Sequence, residues 1–277
     1  MFFLHRYRVV FSFMSFALFL GLAFPCVSAE SEKRSGALEI LTERFKTIFV
    51  PSGLDVSNPA VKAAIRDVDV KAESVISSQN MDKSSKDYGS WGKLKKRDGD
   101  KVKRFVNRTY KMTRAWAFPY SKYYKKKKVL IRITAACEYL YPFIKPGGKR
   151  PGNWWGWEIG VPMKLCNALI LLENRLPRKT RQKMVGALRG SNDSKGLIDT
   201  FYRPYYKSGG ANAMDVAFNQ VRFACVSGIE KYAENGAKLI SILASRDGSY
   251  KTNLGIQEDY SYHFHGHGIN MGYGRVM

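Results

Sequence analysis

Acidic residues are scarce in this chain relative to basic ones. It contains 23 Asp and Glu against 46 Lys and Arg over 277 residues, which gives a formal net charge of +23 at pH 7. A surface with this imbalance favours polyanionic partners over cationic ones, and the main polyanions are nucleic acid, anionic lipid and acidic polysaccharide.

Cysteine is also scarce, with four residues in all. Cys26 lies in an N-terminal segment that we expect to be removed, which leaves Cys137, Cys166 and Cys225. Three cysteines at wide spacing exclude a disulfide framework, although a single bridge stays open as an alternative. We expect Cys166 and Cys225 to be buried as small apolar residues, because both lie in apolar helical runs.

Strand signals are missing: no alternating apolar and polar run lies between tight turns. Apolar residues instead recur at helical spacing, and Pro or Gly separates one helical segment from the next. Residues 81–100 are polar and predict a loop. The pattern indicates an all-α fold of antiparallel helix pairs, with helices at 38–48, 61–75, 102–112, 129–141, 162–172, 177–190, 212–229 and 230–243.

Residues 1–29 have the pattern of a secretory signal peptide. Arg6 and Arg8 precede an apolar run over 9–23, and a small-residue cleavage site ends at Ala29. The alternative, a membrane anchor, is weaker because the run is shorter than the ~20 residues a span needs. We therefore expect a bacterial protein that is secreted or periplasmic and has no membrane attachment after cleavage.

The mature chain is then 30–277, one helical domain. Loss of Arg6 and Arg8 removes two of the 23 excess positive charges and leaves +21. Export disfavours nucleic acid as the partner, because little of that polymer is a dedicated target outside the cell. An acidic polysaccharide remains the expected partner of the basic surface.

Residues 151–162 contain an unusual concentration of aromatic and polar side chains: Asn153, Trp154, Trp155, Trp157 and Glu158. Pro151 and Gly152 indicate a loop, and Pro162 suits the first turn of a helix. This places the tryptophans at the start of a helix rather than on its buried face. Indole faces beside an amide are typical of carbohydrate sites, whereas the alternative is an aromatic cluster in the core.

The order of residues in 153–162 resembles the signature of polysaccharide lyase family 8, which contains hyaluronate, chondroitin AC and xanthan lyases. Two further blocks in the same order are similar to it: 209–212 with Asp215, and 247–250 running to Gly274. The resemblance implies an incomplete α/α toroid with a sugar cleft on one face. It also implies β-elimination from a uronate-containing glycosaminoglycan of the chondroitin or hyaluronan type, by a monomer that needs no metal or cofactor.

The resemblance assigns Asn212 to neutralise the uronate carboxylate, a role that an amide at a loop–helix junction can perform. The alternative for Asn212 is an ordinary helix N-cap. Asn153, Trp154, Trp155 and Tyr206 would bind and orient the sugar chain, with Tyr206 matched by position and residue class. Glu158 is expected to hold its loop rather than touch an anionic substrate.

The catalytic pair implied by the resemblance is His265 and Tyr273. Their interval is one residue shorter than the usual family interval, so His263 or His267 stays open as a replacement for His265. The division of base and acid roles between the histidine and the tyrosine also stays open. The three alternating histidines have a further interpretation as a metal site.

Two other function classes are compatible with such a cleft. One is a non-catalytic glycan-binding module. The other is a glycoside hydrolase, which needs two carboxylates facing one bond. The cleft blocks offer Glu158, Asp215, Glu258 and Asp259 in no recognisable acid–base pair.

Two further expectations concern the chain's end and its lysines. Relatives in the family continue several hundred residues beyond the position of Met277, so the resemblance predicts a truncated domain that is weakly active or inactive alone. Residues 122–128 hold five lysines and two tyrosines. They form either a solvated surface or part of a basic groove wall.

Overall fold

A computed structural model describes residues 35–94, 98–191, 194–198, 211–244, 255–256 and 262–263. The predicted signal peptide lies outside these residues. So do Tyr206, His265 and Tyr273.

The described residues form eight α-helices, one π-helical turn and two short antiparallel β pairs. The helices are α1 (Gly36–Phe49), α2 (Pro59–Ser77), α3 (Gly99–Ala117), α4 (Lys127–Ile144), α5 (Val161–Leu172), α6 (Arg178–Arg189), α7 (Ala211–Ser227) and α8 (Glu230–Ala244). The π turn (Gly156–Gly160) leads directly into α5. The strands are β1 (Gly190–Ser191), paired with β2 (Ser194–Lys195), and β3 (Gly255–Ile256), paired with β4 (Tyr262–His263).

Local signals explain where the helices begin and end. The Asn58 side chain accepts a hydrogen bond from the Ala60 N–H over 2.9 Å and caps α2, with Pro59 as its first residue. Gly190 closes α6 in the left-handed region at φ 80°, a conformation that favours glycine. The predicted end of α4 at residue 141, before Pro142, is wrong, because the helix continues to Ile144 with the proline inside it. The missing N–H affects only the last turn.

The helices form two layers of antiparallel pairs, which confirms the all-α prediction. The inner layer consists of α3, α5 and α7, packed side by side. The outer helices α2 and α4 pack against α3, and α8 packs against α7. Only residues 228–229 separate α7 from α8, so these two helices must run antiparallel.

The inner helices α3 and α5 run in the same direction. Near its start, α3 contacts the π turn, where a Cβ added to Gly160 would lie 2.8 Å from Lys103 Cδ. Further along both helices, the Lys164 ammonium lies 5.1 Å from the ring centroid of Tyr110. The N-termini of α3 and of the helix that begins at Trp154 therefore lie at one end of the layer.

The core fills the space between the two layers. Its largest fully buried side chains include Met112, Ile133, Leu169, Trp157 and Phe223. Burial of this kind supplies most of the favourable free energy of folding. No helix in the described part of the chain is long and apolar enough to cross a membrane.

All three cysteines outside the N-terminal segment lie in this core. Cys137, Cys166 and Cys225 are each buried, and no disulfide forms among the described residues. Burial raises the pKa of the Cys137 thiol to about 12, and it also raises the pKa of Cys166. The prediction that Cys166 and Cys225 are buried is confirmed, and the thiols of Cys137 and Cys166 stay protonated at neutral pH.

Candidate functional site

The N-terminus of α3 meets the Asn153–Gly156 segment in close backbone contact. A Cβ on Gly99 would lie 2.7 Å from the Asn153 carbonyl oxygen, and a Cβ on Gly156 would lie 2.9 Å from the Gly99 carbonyl carbon. Only glycine at both positions permits this approach. The contact brings the starts of two helices together, and with them the positive ends of their dipoles.

The π turn determines the position of the Trp155 ring. A Cβ on Gly160 would lie 2.9 Å from Trp155 Cζ3, so this glycine leaves the space that the indole occupies. Trp155 also packs against a buried cluster of Ile159, Ala213 and Val216. The extra residue of a π turn shifts the side chains before it relative to those after it, and such turns are frequent at functional sites.

The three tryptophans have different environments. Trp154 is 39% exposed and Trp155 is half-buried, so both present surface at the start of the helix. Trp157 is 1% exposed, lies in the main core, and donates from Nε1 to the Pro151 carbonyl over 2.9 Å. The prediction that all three lie off the buried face is wrong for Trp157. Trp154 and Trp155 are called the aromatic platform below.

Asn153 is exposed next to the platform, and one atom of its side chain already forms a hydrogen bond. Its Oδ1 accepts a hydrogen bond from the Trp155 N–H over 3.0 Å, which caps the helix that begins at Trp154. Its Nδ2 has no acceptor among the described residues. The cap orients the side chain and leaves an amide donor for a hydroxyl or carboxylate of a ligand.

Lys103 brings a positive charge to the platform. Its ammonium lies 5.1 Å from the centroid of the Trp155 ring and donates to Asp100 Oδ1 over 2.9 Å. Stacking of the cation on the indole face orients the lysine towards the platform. No sequence signal singled out Lys103, because it contacts the platform only through tertiary packing.

Asn212 lies in the first turn of α7, beside the same cluster. It is the second residue of that helix and is partly exposed. The residues before Ala211 lie outside the described residues, so the N-cap alternative stays open. The next residue, Ala213, is fully buried in the cluster against which Trp155 packs. The structure therefore brings Asn212 to the platform end of the inner layer.

A basic strip continues from the platform along the inner helices. Tyr110 follows Lys103 by seven residues and so lies on the same face of α3. Burial raises the pKa of Tyr110, and the nearby Arg114 and Arg222 counteract this. Burial also lowers the pKa of Lys164, as do Arg222 and Arg114. An anion on this face would offset the mutual repulsion of these cations.

Arg222 is the most enclosed cation of this strip. Its guanidinium carbon lies 5.7 Å from the ring centroids of both Phe45 and Phe218, and its Nη1 donates to Asn219 Oδ1 over 3.1 Å. Burial lowers its pKa, while Asp215 is one of the groups that act in the opposite direction. Burial raises the pKa of Asp215, and Arg222 counteracts this.

The two described carboxylates from the cleft blocks, Glu158 and Asp215, are poorly placed for hydrolysis. Glu158 is 4% exposed, which agrees with a structural part in its turn, and Asp215 is half-buried in α7. Glu258 and Asp259 lie outside the described residues. Glu158 and Asp215 therefore do not form the pair of exposed carboxylates facing one bond that a glycoside hydrolase requires.

The remaining predicted site residues are not described. Tyr206, His265, His267 and Tyr273 lie outside the described residues. The backbone of His263 belongs to β4 and pairs with Gly255 of β3, which lies against α8. Their predicted roles stay predictions.

A sequence profile described as polysaccharide lyase family 8, N terminal alpha-helical domain, matches residues 48–277. Hyaluronate lyase HylB of Enterococcus faecalis is 21% identical over 252 residues, which cover 86% of this chain and 24% of that protein. A hyaluronate lyase of Staphylococcus aureus is 31% identical over 77 residues, which cover 27% of this chain and 9% of that protein. The chain thus spans at most about a quarter of the length of the curated relatives it matches.

Solved structures share the fold. A chondroitin AC lyase of Streptomyces coelicolor, in complex with chondroitin sulphate, superposes with a TM-score of 0.72 at 17% identity, covering 88% of this chain and 32% of that one. A Paenibacillus xanthan lyase superposes with a TM-score of 0.64 at 18% identity, covering 84% of this chain and 21% of that one. At these identities the likeness establishes the arrangement of helices, which confirms the predicted α/α toroid architecture.

Proposed function

The chain belongs to polysaccharide lyase family 8, through the N-terminal α-helical domain of that family, and on this premise we propose that it forms the helical side of a lyase cleft. The substrate is an acidic glycosaminoglycan that contains uronate, of the chondroitin or hyaluronan type. The reaction is β-elimination. The protein acts outside the cytoplasm as a monomer and requires no metal.

The observation that carries this proposal is the meeting of the aromatic platform, Asn153 and Asn212 at one end of the inner layer. The exposed Trp154 indole and the half-buried Trp155 indole provide faces on which sugar C–H groups stack. The Asn153 amide provides a donor beside them, and Lys103 provides a positive charge. These are the parts needed to hold an anionic sugar chain, and the strip from Lys103 to Lys164 extends the positive field along the helices.

The chemistry of a uronate explains why an amide belongs at this point. Its C5–H is acidic because it is next to the carboxylate, and the glycosidic oxygen leaves from C4. The side-chain amide of Asn212 would donate to the carboxylate, whose negative charge grows as the proton departs. The positive end of the α7 dipole would act in the same direction, since Asn212 lies in its first turn.

Proton transfer completes the elimination. A base, His265 or Tyr273, would remove the C5 proton. The C–H electron pair forms the C4–C5 double bond as the C4–O bond breaks, and the other residue of the pair would protonate the departing oxygen. One chain end then carries an unsaturated uronate and the other a new hydroxyl group. No water is consumed.

Absorbance and binding together test the proposal. The protein is incubated separately with chondroitin and with hyaluronan. Ultraviolet absorbance reports the unsaturated uronate, a reducing-sugar assay reports chain cleavage, and affinity chromatography on each polymer reports binding. We expect binding together with a rise in absorbance that matches the number of new reducing ends.

Other outcomes identify the competing functions. New reducing ends without absorbance would indicate a hydrolase, and binding without cleavage would indicate a glycan-binding module. Absence of both binding and cleavage would refute the proposal. Dermatan and xanthan, tested under the same conditions, would show whether the predicted polymer class is correct.

A further inference from the structure

A second basic surface lies far from the platform, between α3 and α4. It comprises residues 122–128, called the lysine turn here, and contains five lysines with Tyr123 and Tyr124. It follows the C-terminus of α3, whereas the platform lies at the N-terminus of the same 19-residue helix. At 1.5 Å per residue, about 28 Å of helix separates the two surfaces, so the lysine turn does not form a wall of the platform cleft.

The backbone of the turn is firmly held. The Lys125 N–H donates to the Trp116 carbonyl over 2.8 Å, and the Ser121 hydroxyl donates to Asp69 Oδ1 over 2.5 Å. Ser121 is buried. The lysines are therefore presented from a fixed loop, which lowers the entropy lost when a ligand binds them.

The charges of the turn are largely uncompensated. Lys122 forms an ion pair with Glu73 over 2.8 Å. The other four lysines, residues 125–128, are exposed and have no ion pair among the described residues. The Lys125 ammonium lies 4.9 Å from the ring centroid of Tyr124, which is 37% exposed. Exposed cations next to an exposed aromatic face match a polymer with anionic groups and apolar ring faces.

The same lysines conflict with the local structure. Lys126 occupies the N-cap of α4 with no side-chain cap hydrogen bond, and Lys127 and Lys128 begin the helix. Positive side chains there repel the positive end of the helix dipole. Lys125 is also one of two non-glycine residues with positive φ in the described chain, at 48°. A helix start without a side-chain cap, lysines at the positive end of a dipole and a non-glycine residue with positive φ are each unfavourable. Several such features within one exposed segment are typical of a functional surface.

We propose that the lysine turn is a second binding surface for the acidic polysaccharide, which holds a distant part of the same polymer while another part occupies the cleft. This rests on the proposed function for the identity of the polymer. A bound anion would offset the repulsion among the lysines and with the α4 dipole. Tethering at a second surface would raise the local concentration of chain at the cleft.

A charge-matched pair of variants tests the proposal. In the first, Lys125, Lys126, Lys127 and Lys128 are all changed to Gln. In the second, four exposed lysines elsewhere are changed to Gln: Lys62, Lys83, Lys86 and Lys238. Binding of long chondroitin sulfate and of a tetrasaccharide is measured for both variants and the wild type, at low and at physiological salt.

We expect the lysine-turn variant to lose at least about tenfold in affinity for the long polymer, with a shallower salt dependence, because up to four counterion-releasing contacts are removed. The scattered control should lose less than about threefold, because only the long-range field changes. Tetrasaccharide affinity should be unchanged in both, because it reports the cleft. Equal losses in the two variants would overturn the proposal, since only total charge would then matter.

Two further readouts separate this surface from the cleft and from general polyanion binding. Trp155→Ala should weaken tetrasaccharide binding, while the lysine-turn changes should still lower the affinity for the long polymer. The lysine-turn proposal therefore stays testable if the cleft proposal fails. Without polymer, the lysine-turn variant should melt at a higher temperature than the wild type, because repulsion at α4 is removed. Equally tight lysine-dependent binding of DNA would overturn the assignment to polysaccharide.

Discussion

The side-chain amide of Asn219 donates a hydrogen bond to the backbone carbonyl of Ile159 over 3.2 Å. Ile159 belongs to the π turn that holds Trp155, and Asn219 lies two turns along α7 from Asn212. Asn219 is 2% exposed, so this bond is buried. It fixes the platform relative to Asn212, two parts of the candidate site that belong to different helices.

Asn219→Leu should therefore destabilise the fold and weaken glycan binding together. The change removes the side-chain donor to the Ile159 carbonyl and the acceptor for Arg222 Nη1, and loss of these partners costs about 1–3 kcal/mol. Gln220→Leu is the matched control, because Gln220 is equally buried on α7 and donates to the Ile198 carbonyl over 3.2 Å, away from the platform. Urea unfolding and oligosaccharide titration should show similar stability losses but a binding loss only for Asn219→Leu. A binding loss in both would mean that only general stability matters.

Trp155→Ala and Trp157→Ala should give opposite results. Loss of the half-exposed Trp155 ring should weaken oligosaccharide binding by about 1–3 kcal/mol with the fold retained. Loss of the buried Trp157 ring should lower the free energy of unfolding by about 3–5 kcal/mol, because it leaves a large cavity in the core. Circular dichroism melting and titration calorimetry measure both. Unfolding of Trp155→Ala would instead make this residue part of the core.

Gly160→Ala should disturb the platform directly. The added methyl would lie 2.9 Å from Trp155 Cζ3 and 2.8 Å from Lys103 Cδ, so both side chains must move. We expect a stability loss of about 1–3 kcal/mol and weaker oligosaccharide binding. Gly186→Ala, inside α6 with no neighbouring atom within 4 Å, is the control and should stabilise the protein by about 0.5–1 kcal/mol. Unchanged Trp155 fluorescence and binding in Gly160→Ala would contradict the arrangement described.

Asn212→Ala should reduce turnover more than binding. The amide would act on charge that grows in the transition state, so its removal changes kcat more than KM. The loss expected for one such hydrogen-bond donor is about 10²–10³ in kcat. Asn212→Asp should be at least as inactive, because it places a second negative charge beside the carboxylate. Proportional losses in kcat/KM and in binding would assign Asn212 to substrate binding alone. Steady-state kinetics on chondroitin and hyaluronan measure both parameters.

The pH dependence of stability should reveal the half-buried carboxyl of Asp215. Burial raises its pKa, and Arg222 only partly counteracts this. At a pH just above about 3.9, the ordinary pKa for this residue type, the carboxyl therefore binds more protons in the folded state than in the unfolded state. Its contribution to the free energy of unfolding falls as the pH rises through that range. Asp215→Asn should raise the melting temperature at neutral pH, and its advantage should disappear near about pH 4.

Asp82→Asn is the control, because its expected effect on stability at neutral pH is opposite to that of Asp215→Asn. Hydrogen bonds from the Ser84 hydroxyl and N–H lower the pKa of Asp82, so its contribution to stability is present above its ordinary pKa and is lost as pH falls. Melting curves between about pH 4 and pH 8 should show the two variants diverging in opposite directions at neutral pH. A neutral-pH melting temperature of Asp215→Asn below that of the wild type would mean that attraction to Arg222 outweighs burial.

Local sequence signals determined the helices and most of their ends. Asn58 with Pro59 begins α2, Pro177 precedes α6, and Gly190 ends it, as their backbone preferences predict. Such signals act within a turn of the chain and need no tertiary contact. The same signals failed at Pro142, where one further turn of α4 tolerates the proline. The all-α class and the family followed from residues adjacent in sequence.

Tertiary structure decided which residues of the site share a surface. Trp155 and Trp157 are two positions apart and so lie on opposite sides of the helix, and packing against the neighbouring helices decided which of them is buried. The contact of Gly99 with Gly156 and the approach of Lys103 to Trp155 join segments about 50 residues apart. Packing between helices depends on the shapes of both partners, and periodicity within one helix carries no information about its neighbour. The sequence therefore determined the helices and the residue types of the site, while the packing of α3, the π turn and α7 determined the site's geometry.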